Sequence, residues 1–594
     1  MSARENGAGS HAMAETAAPP LRVGVVLGSG AQPRWVGDLL RDVASSAAGT
    51  LALVVRAAPA AHDSLNGDGG DGGLLRRLAD ASRHWLFHLY SSIDRIAFPV
   101  DPDPLEPVSV EPLLAGCPAL TVGAAGSADG SVALTAADAA AIRAYALDVL
   151  VALTPLEAPR GLPDVARYGI WSYRHGSRGG ANGAAGVDEV LAGNPVTPAA
   201  LRVTSWERGA TRLVSATYAR TEKFSVNRNR AYCYRKAVAL VGRKLRDVHE
   251  LGEAALDGPP LATDAPAAPP TNGETLRALT RVTRSYVSRR LQRGGAPGDW
   301  FIAYQIGPSL DGADISRSTF DRFTPLRAPA GRFWADPFPA VWEGRYYVFV
   351  EDFVHATQKG HIAVLDVTPG SESRDAVPVL DLPHHLSYPF VFRWRGEHFM
   401  IPESVHDAGV DLYRATRFPF EWEHHARLLD GVRAVDATLV EADGRWWMFT
   451  NIGQPCATAW SDWNEELHLF HAPTPLGPWT PHPRNPVKSD VRSSRPAGKL
   501  FRLGDALYRP SQDCSERYGY AITVSRVDRL DTEAFHEVEV ARIAPRWSPE
   551  LVGTHTLNHA DGLTVIDGRE RQRWPVESLR RSRRAPRGAT RRGA

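Results

Sequence analysis

Hydrophobic and polar positions repeat with different periods in the two halves of the chain. The run Leu21-Arg-Val-Gly-Val-Val-Leu-Gly-Ser-Gly30 is nearly continuous apolar sequence closing on glycines; a helix-like stretch follows around Trp35 to Val43, and a second apolar run covers Thr50 to Val55. Unbroken apolar runs joined by helical spacing predict strands buried on both faces, the β-turn-α-β opening of a parallel α/β sheet. An Ala-rich helical segment, Ala136 to Ala146, leads into another such strand at Leu147 to Leu153. This α/β domain is expected over residues 21–252. Ala254 to Gly273 is rich in Pro, Ala and Gly without apolar periodicity, which predicts an extended linker. A basic amphipathic helix from Glu274 to Arg293 completes a connecting segment, 253–298.

From Phe301 onward the pattern changes to short alternating runs dense in Trp, Tyr and Phe, the mark of an all-β region. Three segments align on a glycine without gaps: Trp342-Glu-Gly344-Arg-Tyr-Tyr-Val-Phe-Val-Glu351, Trp394-Arg-Gly396-Glu-His-Phe-Met-Ile-Pro-Glu403 and Ala442-Asp-Gly444-Arg-Trp-Trp-Met-Phe-Thr-Asn451. Looser copies centre on Gly504 and Gly562. Each copy reads as strand, tight turn and aromatic strand. Five units about fifty residues apart predict a five-bladed β-propeller over 299–568, whose innermost strands line a central axis.

That architecture decides which residues meet. Asp336, Tyr388 and Asp436 stand eight positions before their glycines, and Arg495 and His555 stand beside the equivalent places in the last two copies. All five start inner strands and should converge on one opening. Glu351 and Glu403 end the partner strands. Paired carboxylates at one opening supply what glycosidic chemistry needs, an acid for the leaving oxygen and a carboxylate to activate water or attack the anomeric carbon. The expected catalytic set is Asp336, Asp436 and Glu403, with Glu351, Tyr388, Arg495, Asp513 and His555 binding substrate. An Asp at a strand start also caps turns, and it is the shared repeat phase of Asp336 with Asp436 that favours function over capping.

Composition narrows the partners. Lys plus Arg (68) balances Asp plus Glu (67) over 594 residues, so no global charge calls for nucleic acid. Cys117, Cys233, Cys456 and Cys514 are scattered, with neither paired spacing nor a histidine at ligand distance, so neither a disulfide framework nor a metal site is expected. Residues 1–20 are small, polar and low in complexity, expected to be disordered, and the first apolar stretch is too short for a signal or membrane segment; a cytoplasmic location is expected. The tail 569–594 is Arg-rich, expected to be disordered, and offers peripheral contact to an anionic membrane surface.

Several motifs carry resemblances. WADPF, IPES and VDAT resemble the five-bladed propellers of invertases, levansucrases and arabinanases, which place an Asp, a later Asp and a Glu on the axis. ADPF, EDF at Glu351, KGHI at Lys359, SYPFVF at Ser387, IPES, RPAG at Arg495, QDC at Gln512 and GTHTLN at Gly553 resemble more closely the N-terminal domain of glucosamine inositolphosphorylceramide transferases and their bacterial relatives. The resemblance implies the propeller fold and a glycosyl-handling site. Invertase-like enzymes carry the acid Glu in a later blade, whereas Glu403 falls in the second and Arg495 in the fourth.

LRVGVVLG, LDVLVAL, Arg167 to Gly176, Gly179-Gly180, Leu191-Ala-Gly193 and Trp206-Glu-Arg-Gly209 resemble the folate-dependent formyltransferase domain. Its Asn, His and Asp positions read Ser172, Arg174 (with His175 adjacent) and Glu207 here. A guanidinium is no general base near neutral pH, so formyl transfer and a folate-type cofactor are not expected. Gly28 and Gly30 read as a tight turn or as a phosphate loop. Three functions stand open on sequence: a propeller that cleaves or transfers a glycosyl unit, a module that binds a glycan or sugar nucleotide, and a sugar N-formyltransferase with an auxiliary propeller.

Overall fold

The structure, a computed structural model, describes residues 18–28, 30–58, 71–124, 132–157, 162–177, 185–261, 269–292, 299–307, 323–371, 375–406, 408–453, 463–548 and 550–571. Cys456, Gly179-Gly180, most of the expected N-terminal disorder and the arginine tail beyond 571 lie outside the described residues.

The N-terminal half is an α/β domain on a seven-stranded sheet, ordered Ala210–Arg220, Val196–Ser205, Ile170–His175, Val149–Ala152, Leu21–Leu27, Gly49–Ala58, Ala119–Ala124. The last five of these run parallel. The first two form an antiparallel hairpin on one edge, so the sheet is mixed rather than purely parallel. Leu21–Leu27 is apolar but for the exposed Arg22 because both its faces are covered. Val23, Val25 and Leu27 pack under helices α1 (Arg34–Ser45) and, beyond α2 (Asp71–Ala97), α3 (Ala136–Arg143) and α4 (Val187–Ala192), α5 (Val226–Leu251). Val26 faces the other way, onto Leu53, Val55, Leu150 and the α3 residues Ala139 and Ile142. Helix α6 (Asn272–Gln292), the basic amphipathic segment, is tied to α2 through Asn272, which donates to the Ser82 carbonyl and accepts from Leu86 N–H.

The C-terminal half is a five-bladed propeller. Blades 1 to 3 begin at Arg332–Trp342, Ser387–Trp394 and Ala434–Ala442, and blade 4 runs from Phe501–Leu503 to Phe535–Ile543. The repeated glycine has a physical cause. In blades 1, 2, 3 and 5 the turn residues Glu343-Gly344, Arg395-Gly396, Asp443-Gly444 and Asp561-Gly562 all have positive φ, so each pair is a two-residue turn of the primed type that matches strand twist. Blade 5 is built from both ends of the region: Leu557–Ala560 pairs with Leu563–Glu570, which pairs outward with Trp300–Ile306, which pairs with Thr324–Leu326. This joins the first and last strands of the region in one blade and closes the ring. The final strand also takes in Arg569 and Glu570, which the sequence reading had placed in the tail; their backbones pair with Trp300, Leu551 and Gly553.

The two halves meet over a polar, buried contact. Lys236 on α5 donates to Glu466 and lies 3.2 Å from Glu465, with all three side chains at most 2% exposed. Arg243 reaches Glu466 at 3.1 Å, Tyr232 donates to Glu465, and Tyr218 bridges Asp490. Burial raises the Glu466 carboxyl, but Lys236 and Arg243 outweigh it and bring it down to about 2. Among the described residues no helix is long and apolar enough to cross a membrane.

Candidate functional site on the propeller axis

The inner strands of blades 1 to 3 share an irregularity that the motifs ADPF, SYPF and VDAT produce. Pairing skips from Ala335 to Phe338, from Ser387 to Phe390 and from Val435 to Thr438. At each bulge one residue takes a left-handed conformation: Asp336 (φ 50), Tyr388 (φ 44) and Asp436 (φ 53). A bulge re-aims its side chain, and a positive φ at a residue other than glycine costs on the order of 1–3 kcal/mol, held here by the surrounding strands.

Two linked clusters result. In the first, Asp336 accepts from Thr556 Oγ1 at 2.8 Å and lies 3.4 Å from His555 Nε2. The other ring nitrogen, Nδ1, is 2.5 Å from Asp567, whose second oxygen accepts the backbone N–H of His555 and Thr556. Trp300 stacks on His555 with centroids 4.1 Å apart. In the second, Arg495 forks between Asp436 (Nε, 2.5 Å) and Glu403 (Nη2, 3.1 Å) and donates to Asn464. Gln512 also donates to Asp436, at 3.0 Å, and the Arg495 guanidinium sits over Tyr518.

Carboxylates outnumber cations in this buried space. Asp336, Glu351, Glu403, Asp436 and Asp567 are set against Arg495 and His555, with His385 beside Glu351, which favours protonated carboxyls. Burial, reinforced by Asp436 and Asp567 against the pull of His555, raises Asp336 to about 6. Burial and the Asp436 carboxylate push Glu403 well above the usual carboxylate range despite Arg495, and Glu351 is pushed the same way by burial and Asp336. For His555, burial acts to lower the imidazole, and Asp567 and Asp336 outweigh it to raise it. The site therefore holds carboxyls pushed well above the usual carboxylate range beside one raised to about 6, the kind of separation that acid–base chemistry uses. Among the described residues Asp336, His555 and Asp567 also form a donor set that fits a metal ion, with ligand atoms within 4.8 Å of one another. Local spacing gave no sign of it because the ring assembles the set from opposite ends of the propeller.

The structure brings together Asp336, Asp436, Glu403, Arg495 and His555, with Glu351 close by and 3.6 Å from His385. Two expected substrate contacts are not on the axis as free groups. Tyr388 is wholly buried; its hydroxyl pairs with Thr438 and accepts from Gly498 N–H, tying blades together. Asp513 turns to Arg542 on the outer strand and to Ser515 N–H. Its neighbour Gln512 faces the axis instead, because successive strand residues point to opposite faces. Asp567, Thr556, Asn464 and Tyr518 were missed. Asp567 ends the second strand of the fifth repeat, which was the available signal.

In the N-terminal domain, Ser172 accepts from Arg202, Arg174 bonds the Ser177 carbonyl, and Glu207 is exposed on a turn. Gln32 bonds the carbonyls of both Gly28 and Gly30, and the first N–H groups of α1 are taken by Glu106 and Pro104, so this loop is a tight turn and not a phosphate cradle.

The fold and its axial cluster define a five-bladed propeller of the kind seen in carbohydrate-active proteins. Residues 324–547 match the family described as glucosamine inositolphosphorylceramide transferase 1, N-terminal. The C-terminal region carries that domain. The glucosamine inositolphosphorylceramide transferase 1 of Oryza sativa subsp. japonica is 36% identical over 211 residues, 35% of this chain and 28% of the relative. That of Arabidopsis thaliana is 37% identical over 211 residues, 35% of this chain and 27% of the relative. The chain thus spans little more than a quarter of the length of the curated relatives it matches. Among solved structures, Zg3597, a family 117 glycoside hydrolase of Zobellia galactanivorans, is similar at 12% identity and TM-score 0.29, over 49% of this chain and 99% of that one. An α-L-arabinanase of Cellvibrio cellulosa is similar at 14% identity and TM-score 0.27, over 35% and 77%.

Proposed function

We propose that the propeller cleaves or transfers a glycosyl unit in glycan or glycolipid metabolism, with the chemistry at the axial carboxylates. The observation that carries this reading is the buried set in which Asp336, at about 6, stands with Glu403, pushed well above the usual carboxylate range, and an Arg495-held Asp436. Asp336 acts as base or nucleophile, with Thr556 and His555 fixing its oxygens. Asp436, clamped by Arg495 and Gln512, orients the sugar and raises its neighbours. Glu403 supplies the proton to the departing oxygen. The transferase relatives named above support a glycosyl donor and a glycolipid acceptor as the substrate class.

A second reading is a glycan or sugar-nucleotide binding module. It is favoured by the closure of both Asp436 and Glu403 onto Arg495, which engages both side chains within the protein. A thermal-shift and product screen of wild type beside Asp336→Asn, over sugar nucleotides and nitrophenyl glycosides, separates the two. Turnover in wild type that disappears in the variant while ligand stabilisation persists supports catalysis. Stabilisation without turnover in either protein supports the binding module.

A further inference from the structure

Outside the axial site, the N-terminal domain carries two unlike features. Its cleft at the carboxyl ends of the parallel strands, about 540 Å³, is walled by its own stacked rings: Trp35 lies on Tyr234 with centroids 5.2 Å apart, and Tyr173 covers His175 at 5.3 Å. The second feature faces outward. On α2, Trp85, Leu89, Ile93 and Ile96 recur every third or fourth residue, a spacing that puts them on one stripe, and they are from 49% to 82% exposed.

The roll of this helix is fixed from its opposite face. Asp94 is buried, accepts the Asn227 N–H at 2.7 Å and the Ser225 hydroxyl at 3.1 Å, and so pins α2 to the start of α5. Phe87 and Tyr90 pack beside it on Val187, Val190 and Val226. A carboxylate thus lies inward and an apolar stripe outward, the reverse of a helix that only covers a core. An exposed apolar run of this kind on a folded domain marks a place of contact.

The charge around the stripe says what contacts it. Arg83 and Arg95 on α2 are exposed, and so are Arg277, Arg281 and Arg284 on α6. That helix is held against α2 by Asn272 and by His84, whose ring meets the Pro270 carbonyl at 3.0 Å. Over residues 82–97 and 272–287 the acids are Asp94, turned inward, and Glu274, whose carboxylate is taken by the Thr271 N–H and hydroxyl at the α6 cap. On α6, Leu276 and Val287 are exposed among the arginines, which repeats the pattern. A second copy packed on this stripe about a two-fold axis would bring the same arginines together with few acids to offset them. Lipid phosphates reverse that sign, and Trp, Leu and Ile on a basic helix are the composition of a segment lying in a bilayer interface. We propose that α2 docks the protein on an anionic membrane surface, its apolar stripe at the acyl boundary and the arginines of α2 and α6 at the headgroup phosphates. The attachment is peripheral and does not depend on the chemistry at the propeller axis.

The test is sedimentation of the full chain with vesicles of phosphatidylcholine alone and of phosphatidylcholine and phosphatidylglycerol in equal parts, with brominated phosphatidylcholine as a contact quencher of tryptophan. Binding is expected to the anionic vesicles, to weaken as salt rises, and to bring quenching that Trp85→Phe reduces. Leu89→Ser combined with Ile93→Ser is expected to weaken binding by about tenfold or more, with an unchanged far-ultraviolet spectrum because both side chains face solvent. Should that pair fail to fold, Ile96→Ser, at the most exposed position of the stripe, decides by the same readout. Absence of binding, equal binding to both kinds of vesicle, or binding unaltered by the stripe variants, which would assign attachment to the arginine tail, each overturns the proposal. So does a dimer in gel filtration that the stripe variants dissolve, which would give this face to a second copy.

Discussion

The propeller axis and the N-terminal cleft bury ionisable groups to opposite ends. On the axis, burial acts mainly on acids and holds protons on them: Asp336 rises to about 6, and Glu351 and Glu403 go well above their ordinary values. In the N-terminal cleft, where no carboxylate lines the wall among the described residues, burial with Arg202 nearby acts on a base, taking His175 to about 3. One desolvation effect raises acids in one place and lowers a base in the other. Backbone strain follows the same division. In blades 1 to 3 positive φ falls on the site residues Asp336 and Asp436 themselves, whereas around the cleft strand it falls on Gly169 and Gly176.

The largest expected effect separates the two regions outright. Asp336→Asn is predicted to reduce glycosyl turnover by roughly 10²- to 10⁴-fold, measured as kcat/KM on whichever donor the screen identifies. The sign of its stability effect is also defined. Because the folded pKa is raised from 3.8 to about 6, the ionised carboxylate opposes folding: the penalty is absent below 3.8, grows between those values and is complete above 6. The variant should therefore melt higher than wild type at about pH 7 and no higher near pH 4. In wild type, kcat/KM should rise as pH rises through about 6, since a base must be ionised. A flat acid limb would remove Asp336 from the base role.

Next in size is the contact that joins the regions. Lys236→Met removes the buried cation that Glu465 and Glu466 share, leaving Arg243 against Glu466, and is predicted to cost about 3–5 kcal/mol in denaturant unfolding of the full chain. Glu466 has a folded pKa lowered from 4.5 to about 2, so its contribution is complete above 4.5 and is lost as pH falls toward 2. Wild type should keep its domains docked well into the acid range, and the variant should not.

Glu403→Gln sharpens the assignment of the acid. It should slow substrates with poor leaving groups by roughly 10²-fold and nitrophenyl glycosides far less, because a nitrophenolate departs without a proton. The smallest effect tests the face rule at the end of blade 4. Asp513→Asn should cost about 1 kcal/mol of stability and leave the pH profile unmoved, while Gln512→Met should shift that profile by releasing Asp436. The opposite pattern would return Asp513 to the axis.

Much of the fold was legible because its causes are local. The X-Gly turns need positive φ at two successive positions, so the glycines recur and the blades can be counted. The strand Leu21–Leu27 is apolar from Val23 onward because helices cover both faces, and α1 and α6 show their helical periods directly. The phase shared by Asp336 and Asp436 reflects a bulge that each inner strand repeats. Where reading failed, the deciding partner was remote. Tyr388 has the same phase as those aspartates, but Thr438 and Gly498 from other blades take its hydroxyl. Asp513 and Gln512 differ by one residue, and only the outer-strand Arg542 reveals which faces outward. Asp567 looked like the end of a repeat until its pairing with His555 from the preceding loop gave it a role.

The sequence by itself determined the α/β and all-β halves, the number of blades and the shared phase of Asp336 and Asp436, since turn conformation and strand alternation act over a few residues. Tertiary structure alone decided the closure of blade 5 by Trp300–Ile306, the fork of Arg495 between Asp436 and Glu403, and the burial of His175 among aromatic rings. Those outcomes depend on burial and on charges brought together across hundreds of residues, and neither is encoded in any local period.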